Sequence, residues 1–155
     1  MRLLLALGLA VGMYGLTGAQ DKKDDAKPSL AEKIQAIQKE LQDAQGPLIK
    51  EFQAAKSDKE KEAIREKAMA MMPKFADKIV AAAGENLKDP AALGALMQAL
   101  QMGQGGAASD KAADLIAANF AGDAKLKQAL PSLGSAGPAG EKLLKALADK
   151  ATDKE

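Results

Sequence analysis

The sequence predicts an all-α protein, built of antiparallel helical hairpins and readable as a short tetratricopeptide-like stack. Three observations carry that expectation. After residue 28, apolar side chains recur at i, i+3, i+4 and i+7, and no segment alternates apolar and polar as a strand does. Two Ser-x-x-Glu capping boxes open helical runs, Ser29 with Glu32 and Ser57 with Glu60. Ala, the strongest helix former, supplies much of the apolar content.

The N-terminus is expected to be removed before folding. Met1-Arg2 is positively charged, Leu3 to Leu16 is an apolar run, and Thr17-Gly18-Ala19 is small. This is the order of a secretory signal peptide, residues 1–19, with cleavage between Ala19 and Gln20. The run is too short for a helix crossing ~30 Å of hydrocarbon. Cleavage leaves no N-terminal Cys for lipid attachment. The protein is therefore expected to be exported, periplasmic or secreted, and free of the membrane afterwards.

From Gln20 onward the chain carries 21 basic and 21 acidic residues. A neutral chain lacks the field that gathers nucleic acid or anionic lipid. With no Cys anywhere, helix packing alone must hold the fold. Leu, Ile, Val and Phe together number 24 after Gln20. Each buried Ala removes little surface from water, so the helices are expected to form readily and pack weakly.

Residues 20–28 read as a flexible charged linker before a helical domain, 29–155. Within that domain, 29–72 read as long charged helices and 73–155 as helix-pair repeats. Leu30, Ile34, Ile37 and Leu41 follow the first box, and the spacing resumes beyond Gly46-Pro47 at Leu48 and Phe52. That pattern predicts one helix kinked at Pro47, or two in near-continuity. The second box opens a helix to Met72, with Ile64, Ala68, Met71 and Met72 inward. Pro73 is expected to start the next, carrying Phe75, Ile79, Val80 and Ala83 and ending at Gly84. Asp89 is expected to cap a helix from Pro90 with Leu93, Leu96, Met97 and Leu100 as its face. After Gly103 to Gly106, Ser109 is expected to cap a helix bearing Ala112, Leu115, Ile116 and Phe120. Asp123 caps a short helix with Leu126 and Leu130, Pro131 to Gly140 reads as a loop, and Glu141 to Lys150 as the last helix.

Asp77-Lys78, Asp110-Lys111 and Glu141-Lys142 each precede an Asp (89, 123, 153) by 12 or 13 positions. Their period of 33, then 31, matches helix-pair arrays whose units bury apolar faces only against neighbours. The tetratricopeptide consensus itself is absent. The third unit lacks its partner helix, so Leu143, Leu144 and Leu147 are expected to form a stripe packed on one side only, open to a partner.

The run Lys27 to Lys56, with Ser29-Leu30-Ala31-Glu32 and Ile34-Gln35-Ala36-Ile37, resembles a helical segment that precedes a thioredoxin-like (redoxin) domain in some exported bacterial proteins. The likeness continues through Leu87-Lys88-Asp89-Pro90-Ala91-Ala92, Ser109-Asp110-Lys111-Ala112 and Gly140-Glu141-Lys142-Leu143-Leu144. Members of that family continue into a thiol-redox fold with a Cys-x-x-Cys pair, which is absent here. No catalytic residue is carried over. The resemblance implies a helical accessory module outside the cytoplasm, free-standing or the remnant of a longer gene.

The residue inventory predicts a non-enzyme without cofactor or small-molecule substrate. After Gln20 there is no His, Cys, Tyr or Trp, which removes the usual neutral-pH base, the thiol nucleophile and the phenolic acid. Ser29, Ser57 and Ser109 read as helix caps, Ser132 and Ser135 as loop residues. Gly103 to Gly106 lacks the preceding strand and the Lys-Ser/Thr of a phosphate loop and reads as a hinge. Met69, Met71 and Met72, with Met97 and Met102, are candidate Cu(I) ligands, because thioethers are soft donors. The same residues serve equally as core fillers, and Met71 and Met72 lie on the expected inner face. Nucleic-acid binding would need a basic surface or stacking aromatics, and lipid binding larger apolar faces with basic flanks.

The first expectation is thus a protein-interaction module that docks another protein or its own copy. A holdase-type chaperone and a remnant of a thiol-disulfide oxidoreductase are the alternatives.

Overall fold

The computed structural model describes residues 27–103 and 105–152. The leader, the Ala19–Gln20 junction, the linker up to residue 26, Gln104 and Asp153 lie outside the described residues. The described chain is all-α: α1 Leu30–Ala54, α2 Asp58–Gly84, α3 Ala92–Met102, α4 Ala107–Phe120, α5 Ala124–Leu133, a 3₁₀ turn Gly134–Ala136, and α6 Gly137–Thr152.

Both capping boxes form. Ser29 N–H donates to Glu32 Oε2 at 2.8 Å while Glu32 N–H donates to Ser29 Oγ at 3.3 Å. Ser57 N–H donates to Glu60 Oε2 at 3.0 Å, Lys56 N–H joins it at 2.8 Å, and Glu60 N–H donates to Ser57 Oγ at 3.3 Å. Four backbone donors at each helix start need partners, and each box supplies some of them.

Among the described residues, three prolines lie inside helices beyond the first turn: Pro47 in α1, Pro73 in α2 and Pro131 in α5. Pro47 accords with a single continuous α1. Pro73 was expected to open a helix and Pro131 to open a loop, and both expectations are corrected: α2 runs through 73 and α5 through 131. The residue 72/73 division consequently falls within α2. A helical proline deprives the carbonyl four residues earlier of its donor. Those carbonyls belong to Asp43, Met69 and Lys127, all exposed residues, so water can replace the lost N–H.

α1 and α2 pair along their length. Lys33 meets Glu85, Glu40 meets Lys78, Gln45 meets Met72 and Glu51 meets Lys67. Each step toward the C-terminus in α1 is matched, to within one residue, by a step toward the N-terminus in α2, so the two helices run antiparallel. The distal part of this pair, residues 41–75, extends beyond the main core. That core starts at Ala76, Ile79, Val80 and Ala83 of α2 and takes only Ile34 and Ile37 from α1.

The core continues through Leu93, Leu96 and Leu100 of α3, Ala112, Ala113 and Ile116 of α4, Leu126 and Leu133 of α5, and Ala139 and Leu143 of α6. Ten of the 22 buried apolar residues are Ala, which lets helix axes approach closely but limits the area each residue withdraws from water. Gly140 marks the tightest approach: a Cβ there would strike the Leu133 carbonyl and the Ala136 Cβ. The chain enters α6 through Gly137 at φ +66°, a left-handed conformation open to glycine.

Other helix starts also differ from expectation. α3 begins at Ala92, not Pro90, because Asp89 Oδ1 accepts from Ala91 N–H at 2.8 Å and builds a turn first. Asp123, by contrast, caps α5 as expected: its Oδ1 accepts from Lys125 N–H at 2.7 Å and its carbonyl accepts from Lys127 N–H. Ser109 does not cap α4; Gly106 holds that position. α6 starts at Gly137, so Gly137 to Gly140 is helix rather than loop. The expected repeat openings are inequivalent: Asp77 is mid-α2, Asp110 is in the first turn of α4, and Glu141 is beyond the first turn of α6. What recurs at Asp89 and Asp123 is a carboxylate accepting from the N–H two residues on, and only at Asp123 does it sit directly at a helix start.

Candidate interaction surfaces

Leu143, Leu144 and Leu147 do not form an open stripe. Leu143 is fully buried in the core, and Leu144 and Leu147 are half-buried against it. α6 packs on α4 and α5, and Lys142 ties it to Asp114 of α4 at 2.8 Å. Lys150 Nζ donates to the Ala117 carbonyl at 2.7 Å. These neighbours cover the leucine face of α6, which the 33- and 31-residue spacing does not encode.

The methionines are dispersed by helix geometry. Met69 and Met72 are three residues apart and share a side of α2, whereas Met71 points elsewhere. Met69 is 55% exposed, while Met72 Sδ accepts a long hydrogen bond from Gln45 Nε2 of α1 at 3.9 Å. Met97 and Met102 pack against the main core. At most two thioethers of the α2 group therefore look the same way. Among the described residues, no cluster of three His, Cys, Asp or Glu could hold a metal ion.

One open groove of about 340 Å³ lies between the end of α2 and α4, lined by Val80, Ala81, Gly84 and Leu115 with Glu85 and Lys111. Among the described residues, three ionisable groups are displaced from their ordinary values. Glu32 and Glu60 are lowered by the backbone N–H groups of their own caps, those of Ser29 and Ser57, with Lys56 adding to the second. Lys142 is raised by its hydrogen bond to Asp114. Each cause is a surface cap or ion pair, and none lines the groove.

The distal α1/α2 arm presents a more specific surface. Ile49 and Met69, 52% and 55% exposed, are the large apolar side chains left open among the described residues. They stand level with each other, in the register set by Gln45–Met72 and Glu51–Lys67. They also share a side: Ile49 follows Gln45 by four and Met69 precedes Met72 by three. The opposite side carries the Lys33–Glu85, Glu40–Lys78 and Glu51–Lys67 pairs. Farther down the arm the Ile49–Met69 side is covered. Gln38, a full heptad before Gln45, donates to Gln98 of α3 at 3.3 Å, and Ala76 and Ala83, one and two heptads beyond Met69, are fully buried. Sequence reading overlooked this surface, although the heptad row Met69, Ala76, Ala83 was its available signal.

No helix among the described residues is long and apolar enough to cross a membrane. Comparison with protein-family models, with curated proteins and with solved structures yields no match to this chain.

Proposed function

We propose that this chain is an exported, non-catalytic helical protein that works by protein–protein contact through its α1/α2 arm. The observation that carries the reading is the pairing of Ile49 and Met69 on one open side of an arm whose same side is buried nearer the core. Exposed apolar side chains scattered singly have no special meaning, but two that stand level on a side buried farther along the same helix support a contact surface there. The charged leader followed by an apolar run and a small-x-small end supports export. The lack of His and Cys supports a role without bond chemistry.

Photoreactive side chains placed in cells at 49, at 69 and at exposed Ala118 of α4 test the reading. Adducts of higher mass are expected at 49 and 69 and not at 118. No adduct at either arm position would overturn it. N-terminal sequencing of the accumulated protein tests export separately: a start at Gln20 is expected, and an intact Met1 would end that part.

The holdase alternative draws on the same open surface and the Ala-rich core. It predicts that the protein suppresses aggregation of many unfolded clients, whereas a specific contact surface does not.

A further inference from the structure

We infer that the arm docks on the arm of a second copy of this chain, face to face about a two-fold axis, giving a reversible four-helix contact. The inference rests on the arm-docking reading and names its occupant. The first argument is continuity. The side of α2 that carries Ala83, Ala76 and Met69 at heptad spacing is already an interface between helices over its first two members, where α3 and α4 pack on α2. Beyond Ala76 the same side runs on without a covering helix. What fits there is another helix pair meeting the surface as α3 does, through small and apolar side chains and a carboxamide contact like Gln38–Gln98.

The second argument is self-complementarity. By helical spacing the open side carries Gln45, Ile49 and Gln53 of α1 with Glu62, Arg65 and Met69 of α2. A carboxamide both donates and accepts, so a row of Gln can pair with its own copy without a partner of opposite charge. An isologous contact requires that property, because each residue meets the patch it belongs to. Residues 41–75 carry seven Lys or Arg and six Asp or Glu, so two arms meet without net repulsion. The charged pair on this side, Glu62 with Arg65 at 3.1 Å, neutralises itself within the arm, so it adds no repulsion between two copies.

The third argument is size. Fourteen residues of α1 beyond residue 40 give a face about 21 Å long, and two adjacent helices make it about 20 Å wide. Two such faces enclose roughly 800 Å², below the standard size of a stable interface and in the range of weak, transient contacts. The contact is therefore reversible, between copies that each fold around their own core.

The test is sedimentation velocity of the protein, expressed with its own leader and purified as the cell leaves it, over a range from about 5 to 500 μM. The weight-average mass is expected to climb from monomer toward dimer across that range. Ile49→Lys with Met69→Lys should raise the dissociation constant by at least about tenfold, since like charges then face each other across the contact. Ala118→Lys, on α4, should behave as the parent. Both altered positions are more than half exposed, so circular dichroism should be unchanged and loss of dimer cannot be assigned to unfolding. A monomer at every concentration would overturn the inference, as would a dimer indifferent to the double substitution. Adducts at 49 in cells to a different protein, with none to a second copy, would also overturn it while keeping the arm-docking reading. No adduct at 49 or 69 would sink both.

Discussion

Ser109 Oγ donates to the Leu100 carbonyl at 2.9 Å and accepts from Gly105 N–H at 3.3 Å, so a side chain of α4 closes the end of α3. The Leu100 carbonyl is in the last turn of α3, where no intrahelical donor is left. Ser109 is fully buried and so has no water to fall back on. Ser109→Ala should therefore cost about 1–3 kcal/mol, the penalty for leaving buried polar groups unmatched. A urea titration should show a lower midpoint with an unchanged slope. Gly103→Ala should be at least as damaging, because a Cβ there runs into Ser109 Oγ and its backbone nitrogen. A midpoint unchanged in both variants would refute the cross-helix cap.

The capping boxes predict an acid transition. Glu32 and Glu60 have folded-state values below the ordinary 4.5 because cap N–H groups hold the charged form. A carboxylate lowered on folding contributes stability above its unfolded value and loses it as pH falls through the folded value. Helicity at residues 29–33 and 57–61 should thus hold above about pH 4.5 and fray below it, read by amide exchange at those positions. Ser57→Ala should cost about 1 kcal/mol at pH 7, and Glu60→Gln should flatten the acid dependence. An acid profile identical in Glu60→Gln and the parent would contradict this origin.

The same caps show what could be read without coordinates. Ser29 and Ser57 were legible because a capping box is local: both partners lie within four residues. Apolar spacing located the helices for the same reason. Ser109 was misread because Ser near a helix start resembles a cap, although its spacing to Ala112, Ala113 and Ile116 places it on the buried face. Pro73 and Pro131 were misread as breaks because their cost depends on whether the freed carbonyl reaches water, a tertiary property. The open leucine stripe failed because α6 packs on α4 and folds back closely on the end of α5 at Gly140, neither of which any local spacing reveals.

That correction changes how the C-terminal leucines should respond to substitution. Leu143 is fully buried, so Leu143→Ala should cost about 2–5 kcal/mol and lower the melting temperature by many degrees. Leu144→Gln and Leu147→Gln, at half-buried positions, should cost less each. Partner capture lost in Leu143→Gln would then report unfolding rather than a broken contact. Equal losses at all three positions, with the fold intact, would restore the open-stripe reading.

Pro73 offers the opposite sign. It occupies the interior of α2, where it withholds an N–H from the Met69 carbonyl. Proline in a helix interior is about 3 kcal/mol less favourable than Ala. Pro73→Ala restores the hydrogen bond while leaving the helix path already adopted, so stability should rise. The gain should fall short of that limit, to about 1–2 kcal/mol, because the carbonyl of exposed Met69 can hydrogen-bond to solvent and because Ala frees the unfolded chain. Thermal unfolding followed by circular dichroism measures it. Pro47→Ala should behave alike, since Asp43 is also exposed. A loss of stability in Pro73→Ala would mean that the ring packs between the two arm helices and contributes more there than the missing bond removes. Because Pro73 borders the open side with Met69, the same variant read by sedimentation separates helix stability from arm contact. A more stable protein with unchanged association assigns the proline to the helix alone.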